Sequence, residues 1–152
     1  MVRHVLATLT VASIAAYAAA AAAQEHPFTA HATVTVANNS AVPQTVTGTG
    51  APPFELLPHQ QAMLDMSETP PPAPNAPASN VPVQFTYNVG RTAGPQCHGT
   101  IDMSLAVQGT PASPYEVTNC VSHSTGLAGA SCEIAVKANN GQCQGALAFT
   151  AR

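Results

Sequence analysis

Tryptophan is absent from this 152-residue chain, lysine occurs once, and only four phenylalanines and three tyrosines are present. Each shortage excludes something. Phe28, Phe54, Phe85, Tyr87, Tyr115 and Phe149 fall mostly at core-phased positions, so a platform of exposed rings for stacking on sugars is disfavoured. Four basic residues stand against seven acidic ones, a formal charge of −3. So few cations cannot neutralise phosphates or release counterions, which removes nucleic acid and anionic membrane surfaces from the expected partners. No CxxC pair occurs, no GxSxG elbow sets up a nucleophile, and no stretch beyond the amino terminus keeps a helical period.

The amino terminus is the most informative part of what is there. Arg3 and His4 precede an uncharged apolar run over residues 5–23, and Ala21, Ala22 and Ala23 put small side chains ahead of Gln24. This is the pattern of an export signal cleaved before Gln24. An uncleaved anchor is the alternative, but the run is mostly alanine and no basic residue follows it closely, so stable membrane insertion is not expected after processing. Residues 24–152 then form one secreted or periplasmic domain, long enough for a two-layer core. It keeps Arg91, Lys137 and Arg152 against all seven acids, a formal charge of 3 − 7 = −4.

That domain reads as strands and turns. Phe28, Ala30, Ala32, Val34 and Val36 alternate with His31, Thr33 and Thr35, a half-buried strand. Thr45, Val46 and Thr47 form a second strand, and Ala62, Leu64 and Met66 mark a third. Further alternating runs start at Val83, Ile101, Tyr115, Cys132 and Leu147. Gly126 and Gly129, and Asn140-Gly141, supply turns between them, the last a hairpin signal because both positions tolerate positive φ. Residues 68–82 hold Pro70, Pro71, Pro72, Pro74, Pro77 and Pro82 and read as a solvated, polyproline-like loop crossing between sheets. About eight short strands predict an antiparallel β-sandwich, with a barrel as the alternative.

Cys97, Cys120, Cys132 and Cys143 make an even set in an exported chain, which predicts two disulfides. Three connectivities are open. Parity along the strands disfavours Cys120 with Cys132, unless the phase resets before Cys120, and the expected pairs are Cys97 with Cys120 and Cys132 with Cys143.

Groups that carry chemistry are scattered. Asp65 and Glu68 flank a strand end, and nothing pairs Glu55, Asp65, Asp102 and Glu133 as acid and base. His98 and Asp102 share a strand face but lie about 13 Å apart, too far to bind one metal. His59, Met63 and Met66 form a loose group of copper-ligand type, although Met66 points to the core if Asp65 points out. Asn38-Asn39-Ser40 satisfies the glycosylation sequon at a turn. Residues 34–39, with Phe54-Glu55-Leu56-Leu57-Pro58, resemble short stretches of secreted sandwiches such as thaumatin-like and aegerolysin-like proteins, a similarity too local to imply an activity.

These residues support an exported, non-enzymatic β-sandwich with a binding or surface role toward an envelope or extracellular partner, and no cofactor. Two alternatives stand beside it: a structural subunit assembling through strand edges, and a small metal-dependent enzyme or copper-binding protein. The last includes His26 as third residue of the processed chain, where the free amine, two backbone amides and the imidazole can wrap Cu(II) or Ni(II) in a square plane. Copper titration of the processed protein, its amine not lost to cyclised Gln24, is expected to show a strong site that His26→Ala removes. Equal affinity in the two proteins ends the assignment.

Overall fold

The structure is a computed structural model that describes residues 28–70, 80–110 and 113–151. The export segment 1–23 and His26 lie outside the described residues. Among the described residues nine strands follow in order: β1 (Ala30–Asn38), β2 (Gln44–Gly48), β3 (Ala51–Leu56), β4 (Gln61–Glu68), β5 (Asn80–Gly90), β6 (Gln96–Thr110), β7 (Ser113–Leu127), β8 (Ala130–Asn139) and β9 (Gln142–Ala151). They form a four-stranded sheet in the order β4-β1-β9-β8 and a five-stranded sheet in the order β3-β2-β5-β6-β7. The sandwich expectation holds, with one strand more than the sequence suggests and with two separate sheets in place of a barrel. Every pairing is antiparallel except β1 with β9, which run parallel and bring the first and last strands together at the centre of their sheet.

Side-chain alternation builds the core. In β5, Val81, Val83, Phe85, Tyr87 and Val89 are buried while Pro82, Gln84 and Thr86 are exposed. Phe85 and Phe149, one from each sheet, belong to a single core with Leu64, Met66, Ile101, Met103, Leu105 and Leu147. Removing each such side chain from water contributes about 1.5–3 kcal/mol.

The proline-rich segment is shorter than expected. Glu68 ends β4, and Asn80, Val81 and Pro82 belong to β5, opposite Ala106, Leu105 and Ser104. Pro82 enters the sheet where β5 has only β6 beside it, because β2 pairs no further than Tyr87, while Val81 is buried and anchors the strand. The remaining connection does cross between sheets, from β4 to β5, but its residues 71–79 lie outside those described. Pro52 and Pro53, which carry no alternating pattern, also belong to a strand: both sit exposed on β3, an edge strand that tolerates the missing N–H.

Two turns confirm the punctuation. Asn140 and Gly141 have φ of 48° and 77° between β8 and β9, as a type I′ hairpin requires. Ala128 and Gly129, at 52° and 85°, turn the chain from the end of β7 to the start of β8 and so from one sheet to the other.

The disulfides are Cys97–Cys132 and Cys120–Cys143, each with Cα atoms 5.8 Å apart, and the expected pairs are wrong. Cys97 and Cys120 lie on adjacent strands, but Cys120 is opposite Met103, six residues along from Cys97. Cys143 is likewise opposite Ala138, six residues from Cys132. Six residues of strand span about 20 Å, beyond any disulfide. What brings Cys120 inward is a bulge: Ser104 pairs with Asn119 and Leu105 with Val117, so Thr118 is the extra residue and the phase resets after it.

Both bonds therefore join one sheet to the other. They close sequence separations of 35 and 23 residues, for which chain entropy gives about 3–4 kcal/mol each. Non-reducing peptide mapping is expected to recover Cys97 with Cys132 and Cys120 with Cys143, in a protein four hydrogens lighter than its reduced form. The double variant Cys97→Ser/Cys132→Ser should lose about 3–4 kcal/mol in chemical denaturation. Hairpin-linked peptides in the map would refute the inter-sheet arrangement.

Candidate functional site

The outward face of the five-stranded sheet carries an exposed set of interacting polar side chains. Register places Gln84, Asp102 and Val121 in one row across β5, β6 and β7, with Thr86, Thr100 and His123 in the next and Asn88, His98 and Thr125 in a third. Parity sends all of them away from the core, because their neighbours Phe85, Ile101 and Met103 point in.

Asp102 organises this face. Gln84 Nε2 donates to its Oδ1 at 2.7 Å, Thr100 Oγ1 donates to its Oδ2 at 3.4 Å, and His123 Nε2 stands 3.9 Å from Oδ2. The His123 side chain is 71% exposed and that of Asp102 41%, so water screens the pair and it contributes at most about 1 kcal/mol. Beside them Thr86 N–H donates to Thr49 Oγ1 at 2.8 Å, and the two threonine hydroxyls lie 3.1 Å apart. The result is an open display of one carboxylate, an imidazole, an amide and hydroxyls, able to exchange hydrogen bonds with a polar ligand.

Tyr87 braces this face from below. Its hydroxyl donates to the His123 carbonyl at 3.3 Å by lying across Gly99, where an added Cβ would come within 2.1 Å of it. Burial pushes its hydroxyl up to about 12, partly offset by a hydrogen bond with Ser124.

The residues singled out in the sequence are dispersed. His98 and Asp102 share the outer face of β6 with Thr100 between them, as expected. His31 lies on the outer face of the other sheet opposite Ser67, and His59 occupies the turn before β4 with φ of 58°. Met63 points outward and Met66 is buried, so the loose copper-type group with His59 is not assembled. Glu55 lies on β3, Asp65 on β4, Asp102 on β6 and Glu133 on β8, while Glu68 closes β4. Among the described residues no group of three or more His, Cys, Asp or Glu side chains is close enough to hold a metal ion. β1 has both flanks paired, to β4 and β9, so this regular strand is not a free edge for assembly.

Asn38 serves the turn and not a glycan. Its side chain is fully buried, its amide hydrogens are shared among the carbonyls of Val42, Leu56 and Leu57 at 2.9–3.1 Å, and its Oδ1 accepts from Ser40 N and Oγ. A glycan cannot be joined to that nitrogen in the folded chain. The role of Asn38 as a buried hub has no signal in the sequence beyond its place after an alternating run.

Two depressions accompany these faces. One of about 710 Å³ opens between residues 115–117 of β7 and residues 138–141 at the β8–β9 turn. The other, of about 320 Å³, lies on the outside of the four-stranded sheet near Thr35, Gln61, Glu133, Ala135 and Ala146. No family model, curated protein or solved structure matches this chain.

The raised Tyr87 hydroxyl has a consequence for stability. Folding holds this group neutral above its ordinary value of 10.0, so its contribution is fully present below pH 10 and is lost as pH climbs toward about 12. Denaturation midpoints measured across this range should fall more steeply for the wild type than for Tyr87→Phe. Identical slopes would show that the hydroxyl is not held as described.

Proposed function

We propose that this chain is an exported, non-enzymatic binding module that presents the outer face of its five-stranded sheet to an envelope or extracellular partner. The observation that carries the reading is the Gln84–Asp102–Thr100 hydrogen-bonded set, with His123 beside it, displayed on a flat exposed face. Two inter-sheet disulfides support the setting, because such bonds persist in an oxidising, extracellular or periplasmic environment. The leader pattern in residues 1–23 supplies the route there.

A face of this kind suits a partner rich in hydroxyl or amide groups, gripped by many modest hydrogen bonds in place of one deep pocket. The connection through residues 71–79, outside those described, is a second contact candidate because loops joining rigid elements carry much recognition.

Processed, disulfide-bonded protein added to envelope and culture-supernatant fractions of its source is expected to bind saturably without consuming a ligand. The variant Gln84→Ala/Asp102→Ala/His123→Ala should weaken that binding by roughly tenfold or more while leaving the fold intact. Unchanged binding moves the contact surface elsewhere. Turnover of a substrate, abolished by one substitution at His59, His98, His123, Asp65 or Asp102 in a folded protein, would replace the module reading with the enzymatic one.

A further inference from the structure

The outer face of the four-stranded sheet is unpartnered, and its side chains form three ordered rows across β4, β1, β9 and β8. One row reads Asp65, Thr33, Gln144, Lys137; the next Met63, Thr35, Ala146, Ala135; the third Gln61, Ala37, Ala148, Glu133. Each row is unlike at its two ends. On β4 stand an anion, a large apolar side chain and an amide, and on β8 stand a cation, a methyl group and an anion.

Asp65 and Lys137 are three strand spacings apart, about 14 Å, too far to pair within one chain. Neither has an ionic partner among the described residues. Lys137 is also the chain's one lysine. Met63, at 61% exposure, is the most exposed large apolar side chain described.

A second copy turned by 180° about an axis in this face, parallel to β1 and β9 and midway between them, reverses the strand order and keeps the rows. Asp65 then faces Lys137 of the second copy, Met63 faces its Ala135, and Gln61 faces its Glu133. Every one of these contacts occurs twice by symmetry. The shallow depression near Ala135 and Ala146 gives the opposing Met63 room to seat. Strand directions stay aligned, as in packed sheets generally.

We infer that this face is the interface of a symmetric homodimer, joined by paired Asp65–Lys137 contacts around a Met63–Ala135 centre. The face measures about 19 Å by about 27 Å, so the two copies together cover roughly 1,000 Å², the lower limit for a specific interface. The dimer is therefore concentration-dependent, and salt weakens it by screening the exposed charges. It leaves the outer face of the five-stranded sheet free, and so is independent of the proposed binding role.

Sedimentation equilibrium of the disulfide-bonded protein, from micromolar to millimolar concentration, tests this directly. The wild type is expected to pass from monomer to dimer, and Asp65→Lys or Lys137→Asp alone to weaken association by roughly tenfold or more by opposing like charges. Mixing the two variants should restore association as a heterodimer, because each lysine then meets an aspartate at both contacts. Unchanged melting curves and intact disulfides in both variants show that the fold is kept. A wild type monomeric throughout the range, or a mixture that associates no better than its components, overturns the inference.

Discussion

A two-sheet sandwich is open along two sides, and the covalent ties across one of them constrain everything else in this structure. Cys97 and Cys120, on β6 and β7, reach across the core to Cys132 and Cys143, on β8 and β9. Cys97–Cys132 sits near the passage from one sheet to the other through Ala128 and Gly129, and Cys120–Cys143 ties the same two sheets about 20 Å farther along the strands. Ser124 Oγ adds a hydrogen bond to the Cys132 carbonyl at 3.2 Å. With β7 and β8 held together, the sheets cannot slide, and the inward residues of both keep a single register against one another.

The opposite side is closed by polar contacts. Asn38 ends β1 and donates to Leu56 and Leu57 at the end of β3, while its carbonyl accepts from His59 N–H. Ser67 N–H donates to the Thr49 carbonyl at 3.1 Å, tying β4 to the turn between β2 and β3. A buried amide so fully used is costly to replace, because removing it strands several carbonyls away from water. One side of the sandwich is thus fastened by sulfur and the other by a single asparagine and its neighbours.

Fastening both sides frees the outer faces from structural duty, and they differ in chemistry. The five-stranded sheet shows threonine, glutamine, histidine and one aspartate, linked laterally by hydrogen bonds. The four-stranded sheet shows small side chains between an acidic edge at Asp65 and a basic one at Lys137. The first is the face we propose for a polar ligand and the second the face we infer for a copy of itself. A domain with so few charges has little long-range steering, so recognition at either proposed face would depend on short-range fit.

Parity within each run was enough to assign eight of the nine strands among the described residues, because a half-buried strand must alternate and no other element does so with period two, while β3, with its two exposed prolines, does not alternate. It placed Val34, Phe85, Ile101 and Leu147 in the core, sent Thr33, Asp102 and Met63 outward, and identified the Asn140-Gly141 hairpin from the backbone freedom of its residues. The number of cysteines and the leader pattern were likewise enough to expect disulfides. Pairing between runs was a different matter, since which residues face each other is set by registers, bulges and sheet order that no single run encodes. The Thr118 bulge turned Cys120 to the core and reassigned both disulfides, and β1 became an interior strand through its parallel partner at the far end of the chain. The same dependence explains why Gln84, Asp102 and His123 were visible only as separate surface residues. Their proximity exists only once three strands lie side by side in the register that the core enforces.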